Sequence, residues 1–173
     1  MPNLDKHLAV RDAAEADIAA LSEIKGAGTE TVHARRLNDA RAGNSRYLVL
    51  LLEEEPIGFC RLVPCDPRHD AHTGDFPYLP SVDDLEIKET LRGRGYGTAF
   101  LSAIEQIVKE SGFRKMYLQV EPLGNPRAYA LYQRLGYQTI QTQPYCQTWE
   151  FVDSTGNIQS GEEWVIDMVK QLE

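Results

Sequence analysis

The sequence predicts a mixed α/β domain, and three of its features point to this class. Apolar runs of strand length occur along the chain, as over residues 47–52, and other segments repeat apolar residues at helical spacing. Between residues 84 and 120, a strand, a glycine-rich turn, a helix and a second strand follow one another. This order is that of a βαβ unit, whose two strands are parallel neighbours. A length of 173 residues predicts one domain, spanning 1–173.

Two helices are predicted in the N-terminal part, after a short strand over residues 8–11. Asp12, with Glu15 three residues later, resembles a capping box and predicts that the first helix begins there. This helix ends at Gly26, because glycine is the usual residue just after a helix. The second helix is predicted over residues 29–43.

An antiparallel hairpin follows, formed by residues 47–52 and 57–63. The first of these strands is wholly apolar, so we predict that it is buried on both faces. Residues 64–80 hold four of the nine prolines and are predicted to form a long loop without regular structure. Long loops inside compact domains are often functional.

The C-terminal part is predicted to contain the βαβ unit, a short helix and two closing strands. The unit consists of a strand at 84–87, a turn at 92–97, a helix marked by apolar residues over 100–108 and closed by Gly112, and a strand at 116–120. The short helix covers 126–135, with Asn125 as N-cap and Pro126 at the first helical position. The closing strands are predicted at 148–152 and 164–169.

The composition excludes several classes of protein. Acidic residues number 26 and basic residues 18, so the net charge is −8. Nucleic-acid-binding proteins usually carry a basic patch, and this balance argues against that class. No apolar run reaches the roughly 18–20 residues of a membrane-spanning helix, and the first residues lack an apolar signal core. We therefore expect a soluble, cytoplasmic protein that binds no nucleic acid and no membrane. Three cysteines are too few for a disulfide framework, so we expect free thiols.

The strongest functional signal lies in residues 85–98. A strand ends, glycines follow and a helix begins at once, so unpaired backbone N–H groups lie at the positive end of the helix dipole. Glycines let the backbone approach an anion closely, and Arg92 and Arg94 add charge and bidentate donors. The segment therefore predicts a phosphate or pyrophosphate site. Thr98 stands where a dinucleotide-binding fingerprint has its last glycine, and no Walker A lysine is present, so neither motif applies.

Two motifs resemble those of the GCN5-related N-acetyltransferase (GNAT) superfamily. Arg92-x-x-Gly95-x-Gly97 is similar to its Arg/Gln-x-x-Gly-x-Gly/Ala signature. A second pattern, Asn…Ala…Leu-Tyr…Gly-aromatic, is matched by Asn125, Ala128, Leu131, Tyr132, Gly136 and Tyr137. The element order also fits along nearly the whole chain. The resemblance implies the GNAT fold of the small bacterial members: a mixed, mostly antiparallel sheet, a central parallel strand pair splayed around the acyl-CoA, and helices on both faces.

The resemblance implies acetyl-CoA as co-substrate and assigns residues to it. Backbone groups of Leu85, Glu86 and Ile87 would pair with the pantetheine arm, and Asn125 would touch that arm. The pyrophosphate would be held by the turn, whose residues are Arg92, Gly93, Arg94, Gly95, Tyr96, Gly97 and Thr98. Tyr132 would lie near the sulfur and protonate the leaving thiolate, a general-acid role that a tyrosine hydroxyl can fill.

A general base is also expected. An amine with a pKa of about 10 is mostly protonated at neutral pH, and only its neutral form attacks a thioester. Glu86 is the first candidate, because it lies on the motif strand in alternation with apolar residues. Asp84, another residue or a bound water are the alternatives. Gln119, on the next strand, is neutral where some relatives place a base.

The loop at 64–80 offers two further hypotheses. His69 or His72 could supply the base. With Cys60 and Cys65, the two histidines also have a spacing similar to a set of zinc ligands. Prolines intervene and the spacing matches no common zinc finger, so we predict no metal site.

We therefore predict an acyltransferase that moves the acetyl group of acetyl-CoA directly to a primary amine of a small molecule. Direct transfer is expected because neither motif contains a cysteine that could carry the acyl group. The alternatives are a protein or peptide N-acetyltransferase and a non-catalytic acyl-CoA-binding module. The acidic balance favours a cationic amine. A homodimer that pairs the C-terminal strands is a further hypothesis.

Overall fold

The computed structural model describes residues 7–64, 79–153 and 155–173, and its residue contacts form two compact units. Unit 1 comprises Met1–Pro64 and Val82–Ile107, and unit 2 comprises Cys65–Ser81 and Val108–Glu173. Most of the predicted loop at 64–80 lies outside the described residues. That the chain folds as one domain stays a prediction.

Unit 1 is built on antiparallel strands. Its strands are β1 (Leu8–Asp12), β2 (Arg46–Leu52), β3 (Glu55–Val63) and β4 (Ser81–Ile87). All of β4 except its first residue belongs to this unit. β2 pairs with β1 on one side and with β3 on the other, both antiparallel. Residues 47–51 of β2 are all buried, which confirms the prediction for this strand. At the end of β4, the Lys88 N–H donates to the Ile57 carbonyl of β3 at 2.8 Å.

Two N-terminal helices also contribute to the core of unit 1. They are α1 (Ile18–Lys25), which begins later than predicted, and α2 (Glu30–Arg41), which lies close to its predicted range. One buried cluster joins these helices to the strands and contains Leu21, Ile24, Leu37, Tyr47, Val49, Leu51 and Phe59. Each large apolar side chain in such a cluster contributes roughly 1.5–3 kcal/mol when it leaves water.

The predicted capping box at Asp12 is wrong. Asp12 is the last residue of β1, and its carboxylate accepts two hydrogen bonds from Arg46 at 2.9 Å. A short 3-10 turn precedes α1 instead, and there the Asp17 carboxylate accepts from the Ala14 N–H at 2.7 Å and from Arg11. Asp12 continues the strand pairing while an arginine 34 residues away satisfies its side chain, and α1 begins six residues later.

The helix α3 (Tyr96–Glu110) begins within the glycine turn, at once after Gly95, as the sequence predicts. Its apolar side chains recur at helical spacing and are buried at Phe100, Leu101, Ile104 and Val108. Gly112, at a φ of 91°, follows its end as predicted. At that φ a residue with a Cβ would be strained, so the position favours glycine.

Unit 2 is built on one long strand. Its elements are β5 (Lys115–Val120), α4 (Pro126–Arg134), β6 (Gln138–Thr139), β7 (Tyr145–Val152) and β8 (Ile158–Gln171). β8 pairs antiparallel with β7 over residues 158–165 and with β5 over residues 166–171, and β6 pairs antiparallel with the other edge of that second part. The residue before β4 also belongs to this unit, and its carbonyl, that of Pro80, accepts from the Tyr117 N–H of β5 at 3.0 Å.

The hairpin of β7 and β8 is longer than predicted, and the two-residue strand β6 was not predicted. The predicted closing strands stop where apolar residues give way to polar ones. In the structure those polar residues pair across the hairpin, as the Gln147 amide does with the Glu163 carboxylate at 2.5 Å. Asp153 stabilises the turn by accepting from the N–H groups of Thr155 and Asn157. Cross-strand polar pairs stabilise a hairpin without leaving an apolar pattern in the sequence.

These elements confirm the predicted class, α/β with a mostly antiparallel sheet. Within the described residues, no helix combines the length and the apolar character that crossing a membrane requires.

Candidate active site

The glycine turn in unit 1 has the geometry that an anion needs. Gly93 and Gly95 have φ values of 78° and 91°, a region that residues with a Cβ rarely adopt. α3 begins at the next residue, and its Ala99 N–H donates to the Gly95 carbonyl at 3.0 Å. The N–H groups of residues 96–98 precede that bond, so they have no partner within the helix. Donors at the positive end of a helix dipole fit a pyrophosphate, as predicted from the sequence.

Arg92 fastens this turn to the end of β4. Its Nε donates to the Ile87 carbonyl at 2.8 Å, and its Nη2 lies 3.7 Å from the Glu86 carboxylate. Arg92 and Arg94 are both exposed, so an anion can reach their guanidinium groups. The contact with Ile87 gives Arg92 a structural role in addition to the predicted charge.

β4 runs very close to β3 at Gly58. A Cβ on Gly58 would lie 2.6 Å from the Ile87 side chain and 2.7 Å from the Glu86 carbonyl, closer than real Cβ contacts. Glycine at this position therefore allows the close approach of the two strands. The approach involves Glu86 and Ile87, two of the three residues predicted to meet the pantetheine arm.

Glu86 lies half-buried among charged side chains. Its carboxylate is 3.4 Å from Lys25 Nζ, at the end of α1. Burial and the negative charge of Asp84 raise the pKa of Glu86, while Lys25 and Arg92 oppose them. A carboxylate with a raised pKa is a stronger base than an ordinary one, which suits the predicted role.

Asp84, the alternative base, differs from Glu86 in its partners. It accepts from Lys25 Nζ at 2.8 Å and from Arg36 Nη2 at 2.5 Å. Burial by itself would raise the pKa of Asp84, but the charges of Arg36 and Lys25 hold it below its ordinary value. Asp84 is therefore the weaker base of the two. Its φ of 50° is also unusual for a residue in a strand.

Unit 2 contains the two other predicted site residues, Asn125 and Tyr132. The Asn125 side chain caps α4 by accepting from the Ala128 N–H at 3.1 Å, which confirms the predicted cap. Tyr132 is buried and packs edge to face on Tyr137, with ring centroids 5.9 Å apart. Their roles towards acetyl-CoA stay predictions.

A model of the acetyltransferase (GNAT) family matches residues 13–137, well over half of the chain. The protein belongs to the GNAT family. It is accordingly an acyltransferase, and acetyl-CoA is its co-substrate, as it is for this family. No curated protein matches the sequence.

Solved structures of GNAT proteins share the fold over nearly the whole chain. One is YncA of Salmonella typhimurium, a putative acetyltransferase with acetyl-CoA: 19% identity, TM-score 0.65, 97% of this chain and 95% of that one. A phosphinothricin acetyltransferase of Sinorhizobium meliloti, in complex with acetyl-CoA, has 23% identity and a TM-score of 0.65. The match covers 96% of this chain and 89% of that one. A ribosomal-protein-alanine N-acetyltransferase of Brucella melitensis has 21% sequence identity and a TM-score of 0.62. The match covers 95% of this chain and 99% of that one.

A buried carboxylate in unit 2 of this GNAT chain was not predicted from the sequence. Asp167 of β8 is fully buried and accepts from the Tyr117 and Tyr145 hydroxyls and from the Gln119 and Gln141 amides. Burial and the Asp167 charge raise the pKa of both tyrosines. Gln119 thus belongs to a hydrogen-bond network. An apolar strand with one acidic residue was the only signal in the sequence.

The hypotheses for the 64–80 loop concern residues that the structure largely does not describe. Cys65, His69 and His72 lie outside the described residues. Cys60 lies in β3 and is fully buried, and burial raises the pKa of its thiol.

Proposed function

We propose that this GNAT protein transfers the acetyl group of acetyl-CoA directly to a primary amine of a small molecule, with Glu86 as base and Tyr132 as acid. The observation that carries the proposal is the state of Glu86. Its carboxylate is half-buried, has a raised pKa and lies 3.7 Å from Arg92, the first residue of the pyrophosphate motif.

Glu86 acts on the amine in this proposal. When the carboxylate is ionised, it accepts a proton from the incoming ammonium and leaves the nitrogen lone pair free to attack. The raised pKa improves Glu86 as an acceptor, but it also keeps the residue protonated to a higher pH. The rate is therefore expected to fall on the acidic side at a higher pH than it would with a carboxylate of ordinary pKa.

Acetyl-CoA supplies the acetyl group and leaves as the free thiol. The N–H groups of residues 93–98 and the charges of Arg92 and Arg94 bind its pyrophosphate. The backbone of residues 85–87 and the Asn125 side chain hold the pantetheine arm. Tyr132 donates a proton to the sulfur as the thiolate departs. These assignments extend the family motifs to this chain residue by residue.

Direct transfer is favoured over a cysteine carrier because neither motif contains a cysteine and because Cys60 is unsuited to the carrier role. Its thiol is fully buried and its pKa is raised, so the reactive thiolate is scarce. A buried thiol of this kind is a poor nucleophile. Mass spectrometry of protein incubated with acetyl-CoA alone should find no acetylated cysteine.

The nature of the acceptor is the part of the proposal with a competitor. Among GNAT proteins of the same fold, one is named for phosphinothricin and another for the alanine of a ribosomal protein. A small cationic amine is favoured here by the net charge of −8, which attracts cations at long range. The homodimer remains a hypothesis, and sedimentation of the full chain tests it.

The experiment is a calorimetric titration with acetyl-CoA, with ATP and NADH as controls, followed by thiol release across two panels. One panel contains small primary amines and the other contains peptides with free N-termini. We expect selective acetyl-CoA binding and turnover of small amines. Turnover confined to peptides would move the proposal to a protein acceptor. Glu86→Gln should bind acetyl-CoA like the wild type and lose turnover at least tenfold, and unchanged turnover would reject the base.

A further inference from the structure

Glu86 belongs to a cluster of charged side chains from three elements of unit 1. Lys25 comes from the last turn of α1, Arg36 from α2, and Asp84 from β4, two residues before Glu86. Lys25 Nζ lies 2.8 Å from Asp84 and 3.4 Å from Glu86, so one ammonium bridges both carboxylates.

Helix packing keeps this bridge in place. The Lys25 ammonium lies 5.8 Å from the centre of the Phe59 ring, a fully buried residue of β3. The Arg36 guanidinium lies over the same ring at 5.9 Å and contacts Asp84 Oδ2, the same oxygen that Lys25 contacts. The side chains of Lys25 and Arg36 are only 23% and 15% exposed, so water screens their charges poorly.

The backbone conformation of β4 is a second indication that surrounding contacts hold this bridge in place. Asp84 has a φ of 50°, which costs a residue other than glycine free energy and persists only where surrounding contacts hold it. The contacts to Lys25 and Arg36 supply that constraint. An irregular residue in a strand changes the direction of its side chain, and here the side chain meets two cations.

We propose that Lys25 is a positioning residue: by bridging Asp84 and Glu86, it holds the Glu86 carboxylate at the end of β4 and decides the pH at which that carboxylate can accept a proton. The inference rests on the proposed function in that it gives this pH a catalytic meaning. The charged groups that face Glu86 are Asp84 on its own strand, Lys25 on α1 and Arg92 in the turn.

Asp84 and Lys25 shift the pKa of Glu86 in opposite directions. The Asp84 charge favours protonated Glu86, and the Lys25 charge favours the ionised form. Removing Lys25 should therefore raise the pKa of Glu86, and neutralising Asp84 should lower it. A side chain that merely stabilises the fold would not give shifts of opposite sign.

The experiment measures the titration of the Glu86 carboxyl carbon by NMR in the unliganded full chain. Lys25→Met is expected to raise the pKa by about one unit or more, the usual effect of losing an opposite charge at this distance. Lys25→Arg keeps the charge and should restore a value near that of the wild type. Asp84→Asn should lower it. Arg41→Met deletes one charge elsewhere in unit 1, where Arg41 pairs with Glu15 at 3.1 Å, and should leave it unchanged.

The acidic limb of the pH profile of kcat/KM is the second readout. If Lys25→Met moves both the NMR titration and this limb upward, the inference and the proposed base are both supported. If the titration moves and the limb does not, Lys25 still controls Glu86, and the assignment of Glu86 as base is rejected. If folded Lys25→Met leaves the titration in place, the inference is overturned. If Asp84→Asn fails to fold, the pair Lys25→Met and Lys25→Arg decides alone.

Discussion

His33 is a fully buried histidine whose protonation state follows from its partners. Nδ1 lies 2.6 Å from the Tyr47 hydroxyl, and Nε2 lies 3.3 Å from Thr29 Oγ1. The Thr29 hydroxyl donates its hydrogen to the Gly26 carbonyl at 2.7 Å, so it must accept from His33. Nε2 therefore carries the proton, and Nδ1 accepts from Tyr47. The ring is neutral, with both nitrogens satisfied.

This arrangement predicts a pH-dependent stability. Burial, together with the charges of Arg36 and Lys25, lowers the pKa of His33 from 6.5 to about 4. The unfolded chain binds a proton below pH 6.5 and the folded chain does not, so stability is present above that pH and is lost as the pH falls towards 4. At 1.36 kcal/mol per unit, the loss is about 3 kcal/mol. Urea denaturation from pH 7 to pH 4 measures it.

His33→Phe provides the comparison for that measurement. The variant is expected to be less stable at pH 7, because Tyr47 and Thr29 lose a partner, and to show about 3 kcal/mol less change between pH 7 and pH 4. His7→Phe, at an exposed histidine, should keep the slope of the wild type. An unchanged slope in His33→Phe would contradict the neutral buried histidine.

Tyr132 allows a second prediction at the residue scale. Tyr132→Phe removes only the hydroxyl, so the buried ring and its contact with Tyr137 remain. If the hydroxyl protonates the leaving thiolate, kcat should fall by about 10²-fold while the Kd for acetyl-CoA stays the same. A thiol-release assay measures kcat, and calorimetry measures the Kd for acetyl-CoA. Tyr129→Phe, in the same helix, is the control, and equal losses in the two variants would rule out the acid role.

At the scale of elements, the position of β4 depends on one glycine of β3. Gly58→Ala would bring a Cβ within 2.7 Å of the Glu86 carbonyl, so β4 must shift. We expect a loss of about 1–3 kcal/mol in the free energy of unfolding and weaker acetyl-CoA binding, because residues 85–87 move with the strand. Chemical denaturation and calorimetry test both.

The same substitution in unit 2 is the matched control. In Gly161→Ala, the new Cβ would meet the Trp149 side chain, at 2.5 Å, rather than a backbone. This variant should lose stability and keep the wild-type affinity for acetyl-CoA. Equal loss of affinity in Gly58→Ala and Gly161→Ala would show that the position of β4 is not what matters.

The elements themselves were largely predictable from the sequence, because periodicity and end signals are local. Glycines after helices, the Asn125 cap and the apolar β2 all lie where the sequence predicts them. The errors fall where a distant partner replaces a local signal. Asp12 pairs with Arg46, 34 residues away, and the outer part of the β7–β8 hairpin is held by polar pairs such as Gln147 with Glu163.

In the candidate site, too, local features were predictable from the sequence and long-range contacts were not. The glycine turn was predictable because its residues are contiguous, and their order has a direct physical reading. The environment of Glu86 was not, because Lys25 lies 61 residues before it in the chain. In the sequence, Lys25 is an ordinary charged residue near the end of a helix. The network around Asp167, whose partner Tyr117 is 50 residues away, was hidden for the same reason.

At the scale of the whole molecule, the outstanding prediction is that the chain is one domain. The residue contacts form two units, and each has buried residues of its own: Leu21 in unit 1 and Leu118 in unit 2 are at most 1% exposed. Both tryptophans of the chain, Trp149 and Trp164, lie in unit 2. Their fluorescence therefore reports on unit 2, whereas far-ultraviolet circular dichroism reports on the helices and strands of both units.

Leu21→Ala tests whether the units unfold together. The cavity it leaves should cost about 2–5 kcal/mol in unit 1. In a single cooperative domain, the urea midpoint from tryptophan fluorescence must then fall as far as the midpoint from circular dichroism, because one equilibrium governs both signals. Leu118→Ala, in unit 2, lowers the tryptophan midpoint in either case and establishes that this signal responds. A tryptophan midpoint that stays at the wild-type value in Leu21→Ala would divide the chain into two domains and overturn the prediction.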